Sequence, residues 1–139
     1  MQGEAKRNVI ILAIVVPWVL VMWLALAWYL QLDTRQFLSV KYVVPTQGAD
    51  PVVARIYAGL HDETATKCGP KIGCTEAYVG DNLTLYKFSS KVTARRFTRE
   101  DTATRYNSDW IVIEFTNPEM SAQDKAFAET DMDEWAIAE

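Results

Sequence analysis

Histidine is nearly missing from this sequence. His61 is the only one, so no cluster of imidazoles can hold a catalytic zinc or copper ion. Cysteine is almost as scarce. Cys68 and Cys74 are the only two, too few for an iron–sulfur cluster, and no Cys-x-x-Cys-His is present for haem attachment. There is no Gly-x-Ser-x-Gly, no His-Glu-x-x-His and no phosphate loop. The acidic C-terminal residues lack the spacing of a calcium loop. No catalytic residue, cofactor or metal ligand is therefore expected. Basic residues are also in deficit, 14 Lys and Arg against 18 Asp and Glu, for a net charge of −4. That balance argues against a nucleic-acid partner and against adhesion to an anionic lipid surface. Internal repeats and low-complexity segments are absent as well.

Apolar residues are abundant, and they are concentrated. From Val9 to Leu30 the chain runs 22 residues without a charge. As a helix this run would span roughly 33 Å, enough for a hydrocarbon core of about 30 Å. Ala25-Leu26-Ala27 resembles a signal-peptidase site, but the run exceeds the apolar core of a cleaved signal. Residues 9–31 therefore read as a retained signal anchor, a single transmembrane helix. The segments around it are a cytoplasmic tail at 1–8, a connector at 32–48 and an extracytoplasmic domain at 49–139. Lys6 and Arg7 abut the start of the run, whereas Arg35 and Lys41 follow it, so charge alone sets the orientation weakly. The expected location is the cell membrane, N-terminus inside and domain outside.

The run also reads as a contact surface. Pro17 removes a backbone hydrogen bond in mid-span, a break tolerated where neighbouring helices compensate. Val9, Ala13, Pro17, Val21 and Ala25 recur every four residues and make one face of short side chains. Trp18 and Trp23 lie near the middle, where an indole N–H finds no acceptor in lipid. Ala13, Pro17, Trp18, Val21, Trp23 and Ala25 are the candidate helix-packing residues, and integral membrane subunits are the candidate partners beside the bilayer itself.

The rest of the chain reads as a small α+β domain. Residues 37–44 suit either a strand or an extension of the anchor helix. Asp50-Pro51 is a helix start, with an acidic N-cap and proline at the first position, and the helix should end near His61. Residues 64–73 read as a loop. Two strands, 76–79 and 83–88, flank the turn Gly80-Asp81-Asn82. Ser89 or Ser90 caps a helix to about Arg99, with Ala94 and Phe97 inward. A strand follows at 110–115, ended by Asn117-Pro118. Ser121 with Asp124 forms a capping box for a last helix that carries Ala128, Met132 and Trp135 on one face. The expected fold is a ferredoxin-like α+β sandwich with an added C-terminal helix.

Few residues of this domain suggest chemistry. Cys68 and Cys74, across a turn-rich loop, read as a structural disulfide. A redox pair would show Cys-x-x-Cys, and a metal site would need more ligands nearby. Lys87, Lys91, Arg95, Arg96, Arg99 and Arg105 form a basic stretch; Asp124, Glu129, Asp131, Asp133, Glu134 and Glu139 form an acidic one. Each reads as a solvated face or as a docking patch. Asn82-Leu83-Thr84 matches a glycosylation sequon.

Gly73-Cys74-x-Glu-Ala-Tyr78, Leu85-Tyr86-Lys87-Phe88-Ser89-Ser90 and Ser108-Asp109-Trp110-Ile111-Val112-Ile113-Glu114-Phe115 together resemble small membrane-anchored proteins of actinobacteria. Some of these are accessory subunits of the respiratory supercomplex that joins cytochrome bcc to a terminal oxidase. The resemblance implies a non-catalytic structural subunit that contacts cytochrome bcc and oxidase subunits, and it transfers no catalytic or cofactor-binding residue. The alternatives are a free-standing, membrane-tethered periplasmic binding module or assembly factor, and an enzyme of unfamiliar type.

Overall fold

The computed structural model describes residues 16–26 and 34–135. The chain divides into two units, Met1–Asp33 and Thr34–Glu139. Of the first unit, residues 16–26 form a helix, α1.

The second unit is built on a five-stranded sheet. Two 3₁₀ turns, Thr34–Phe37 and Val40–Val43, open it. Then come α2 (Pro51–Ile56), β1 (His61–Asp62), α3 (Thr64–Lys67), β2 (Cys74–Val79), β3 (Leu83–Phe88), α4 (Lys91–Glu100), β4 (Arg105–Ser108), β5 (Ile111–Phe115) and α5 (Ala122–Glu134). The sheet order is β1-β2-β3-β5-β4, and every neighbouring pair is antiparallel.

Two expectations are corrected here. Among the described residues no helix is long and apolar enough to cross a membrane. Of the expected transmembrane anchor, only 16–26 is described; the rest of 9–31 lies outside the described residues. The ferredoxin-like topology is replaced as well. That fold needs a helical crossover after its first strand, but β1 has two residues and is followed by the single turn α3. So short a link leaves β1 beside β2 as its antiparallel neighbour. The one crossover runs from β3 through α4 to β4, and β5 returns between them to pair with β3 along Leu83↔Phe115 through Lys87↔Ile111.

The helices start where their caps place them. Asp50 accepts the Val52 N–H at 2.8 Å with Pro51 at the first position. Ser90 accepts from Thr93, and Ser121 from Asp124. Each cap satisfies one of the amides that an α-helix leaves without an internal partner. Helix α2 stops at Ile56 rather than near His61. The chain turns at Gly59, whose φ is +71° and whose added Cβ would meet the Asp81 carboxylate at 2.6 Å. The same approach brings the Asp81 N–H to the Ala58 carbonyl at 2.9 Å. Only glycine meets both conditions without strain.

The connector is neither strand nor continued helix. The Glu76 carboxylate, on β2, accepts the Ser39 hydroxyl at 2.7 Å and the Val40 N–H at 3.0 Å. This holds Val40 fully buried and leaves the segment in two short turns before Pro45.

Successive side chains point to opposite faces of the sheet, so β3 and β5 feed two cores. On one face Leu83, Leu85, Ile111 and Ile113 pack with Ile56, Tyr57, Ala128 and Met132 of the α2 and α5 layer, with Val40 beside them. On the other, Ala77, Tyr86, Phe88 and Val112 pack with Ala94 and Phe97 of α4. Phe97 meets Tyr86 edge-on at 5.0 Å and Phe88 at 5.4 Å. Cys68 and Cys74 are disulfide-bonded, six positions apart, and close this second core together with Ile72. Replacing both by serine should lower the unfolding free energy by roughly 2–2.5 kcal/mol on the chain-entropy account, read as a lower urea midpoint.

Candidate functional site

Helix α1 is the feature that the rest of the described structure does not explain. Every residue from 16 to 26 is exposed, and all are apolar. Pro17, Trp18, Val21, Trp23 and Ala25 lie on this helix; Ala13 is outside the described residues. Trp18 is 69 % exposed and Trp23 72 %. A surface helix of a globular domain has a polar face, and one that is apolar all round is normally buried. Continuous exposed apolar surface of this kind marks an interaction site.

Part of each charged stretch does structural work, and Glu139 lies outside the described residues. Arg105 is not on a solvated face. Its Nε donates to Glu114 at 2.8 Å, its Nη1 to the Phe97 carbonyl at 2.8 Å, and its guanidinium lies 3.8 Å from the Phe97 ring centre. Glu114 also accepts the Tyr86 hydroxyl at 3.0 Å. Lys87 is buried, and Lys91 pairs with Asp109 at 3.1 Å beneath the Trp110 ring. On α5, Asp124 binds Arg55 at 2.6 Å, Asp131 accepts from Tyr57 at 2.8 Å, and Asp133 accepts from Tyr106 and Ser108, each at 2.6 Å. The acidic residues thus clamp α5 onto the sheet and α2. Arg95, Arg96 and Arg99 do stay exposed, on one face of α4 with Val92.

Burial pushes the Tyr57 phenol far above the ordinary tyrosine value, and the Asp131 charge and hydrogen bond add to it. Burial, then Glu114, does the same for Tyr86. A raised phenol favours the neutral form in the folded state. This contribution is complete below about pH 10, the unfolded tyrosine value, and is lost as pH rises beyond it. In an alkaline titration read by ultraviolet absorbance, Tyr57 and Tyr86 should ionise only together with unfolding.

His61 is exposed, with Nδ1 2.7 Å from the Gly59 carbonyl and Nε2 3.5 Å from Glu63. Among the described residues no group of three or more His, Cys, Asp or Glu could hold a metal ion. The polar cleft lined by Arg55, Asn82, Asn117, Ser121 and Asp124 is tied by its own hydrogen bonds. Asn82 Nδ2 donates to the Arg55 carbonyl at 2.9 Å, and its Oδ1 accepts from Asn117 at 2.8 Å. With its amide engaged and Thr84 buried, the Asn82 sequon offers no acceptor in the folded domain.

Sequence reading missed Glu76 as the anchor of the connector, and the aspartates of α5 as tertiary ligands. Their partners are 25 to 74 positions away, where periodicity carries no signal.

Comparisons with protein-family models, with curated proteins and with solved structures find no match to this chain.

Proposed function

We propose that this chain is a non-catalytic accessory subunit of a larger membrane-protein assembly, held there by burial of α1 against apolar partner surface. The observation that carries the reading is the exposure of eleven consecutive apolar residues, Trp18 and Trp23 among them. Packing against neighbouring helices would cover this apolar surface and give the indole N–H groups acceptors. The assembly proposed is the actinobacterial respiratory supercomplex of cytochrome bcc and oxidase, on the resemblance of the 73–78, 85–90 and 108–115 segments to its accessory proteins.

Purification of the tagged chain from its own host membranes in mild detergent tests this. Cytochrome subunits in stoichiometric amount, with haem absorption bands, are the expected result. A colourless eluate with other stable partners would discard the respiratory assignment, and an eluate with no partner would discard the accessory role. A second reading, a membrane-tethered binding module, is favoured by the exposed Arg95, Arg96 and Arg99 on α4; it predicts substoichiometric, salt-sensitive partners in the same eluate.

A further inference from the structure

Large apolar side chains exposed on the second unit, among the described residues, are Phe37, Tyr42, Val92 and Phe127. Val92 and Phe127 are single side chains on separate helices. Phe37 and Tyr42 belong together. They lie five positions apart in the 3₁₀ turns of the connector, 74 % and 67 % exposed.

These two rings cannot retreat into the core. Between them Val40 is fully buried, and its N–H and the Ser39 hydroxyl are both held by the Glu76 carboxylate. Val43 and Val44 also pack on the core. The inward positions of the turns are thus occupied, and Phe37 and Tyr42 are displayed outward on either side of the anchor point. Lys41 stands next to them, its Nζ 4.8 Å from the Tyr42 ring centre.

We propose, on the footing of the membrane reading above, that this connector turn is seated in the lipid–water interface, with Phe37 and Tyr42 in the headgroup layer and the Lys41 ammonium toward the lipid phosphates. Three observations select lipid over a protein surface. The uncharged apolar run Val9–Leu30 ends seven positions before Phe37 in the sequence, so the turn closely follows the most apolar part of the chain. An apolar ring, an amphipathic phenol and a long-stemmed cation in one turn match the mixed polarity of headgroups. The turn is pinned to the sheet, so it presents these groups without an ordering cost at the moment of contact.

The test uses the full chain in phosphatidylcholine vesicles, with a nitroxide label on Phe37→Cys or Tyr42→Cys, and on Val92→Cys as the water-exposed reference. The native pair Cys68–Cys74 is bonded and leaves no free cysteine among the described residues. Labels at 37 and 42 should collide with a water-soluble nickel chelate several-fold less than the label at 92, and with oxygen more. Vesicle-bound protein with chelate access at 37 and 42 equal to that at 92 would overturn the inference while leaving the membrane reading intact. Shielding that arises only when cytochrome subunits are added would also overturn it, in favour of a protein contact. A chain that does not co-float with the vesicles would remove both the inference and the membrane reading beneath it.

Discussion

Replacing Phe97 by alanine should destabilise the domain by roughly 3–5 kcal/mol, the range for truncating a buried aromatic ring. Phe97 is the centre of the second core. It packs edge-on against Tyr86 and lies near Phe88, and the Arg105 guanidinium rests over its ring. The alanine variant loses the apolar burial, both aromatic contacts and the surface on which Arg105 lies, next to the Glu114 carboxylate that also receives Tyr86. For a domain whose whole stability is of the order of 5–15 kcal/mol, a loss of this size leaves little margin. Urea unfolding of the full chain in detergent, followed by near-ultraviolet circular dichroism, checks it through the shift in midpoint. A Phe97→Leu variant should retain much of the stability, because it keeps most of the buried volume. A loss below about 1 kcal/mol for alanine would mean that α4 is not the lid of this core.

The second large effect concerns assembly. Replacing Trp18 and Trp23 together by serine should release the chain from its partners while leaving the domain folded. Buried aromatic anchors commonly account for 2 kcal/mol or more each at an interface, so the pair corresponds to a loss of affinity of about a thousandfold. Co-purification from host membranes reads the loss, and an unchanged urea midpoint shows that the domain is intact. Retention of stoichiometric partners would place the contact elsewhere on the chain.

The parts of the fold that were legible in the sequence are those governed by neighbours in the chain. Asp50-Pro51, the pair Ser89-Ser90 and Ser121 announce helix starts because a cap acts over three residues, and of the pair it is Ser90 that caps. Leu83–Phe88 is bounded by a turn before it and serines after it, and the structure has a strand over that same range. The parts that were not legible depend on distant partners. Strand β4, Arg105-Tyr106-Asn107-Ser108, has no apolar alternation and owes its form to pairing with β5. The connector suits a strand by propensity, and Glu76 holds it in two turns instead. Sheet order followed the brevity of α3, which a count of elements does not register. The candidate site was half legible. Trp18 and Trp23 stand out from sequence alone, because an uncharged run leaves them nowhere polar to go. Phe37 and Tyr42 did not, since only the burial of Val40 between them makes their exposure a fixed property.

Asn82 has a further consequence. Its backbone carbonyl receives the N–H groups of Thr116 and Asn117 at 3.0 and 3.1 Å, and its side-chain amide links the Arg55 carbonyl to Asn117. One residue thus ties the end of α2, the β2–β3 turn and the exit of β5. The knot requires a group that donates on one side and accepts on the other, as an amide does. Slow hydrolysis to aspartate, the chemical ageing to which asparagine is prone, would put a carboxylate oxygen against the Arg55 carbonyl where an N–H now points. The hydrogen bonds that use this amide also hold it still.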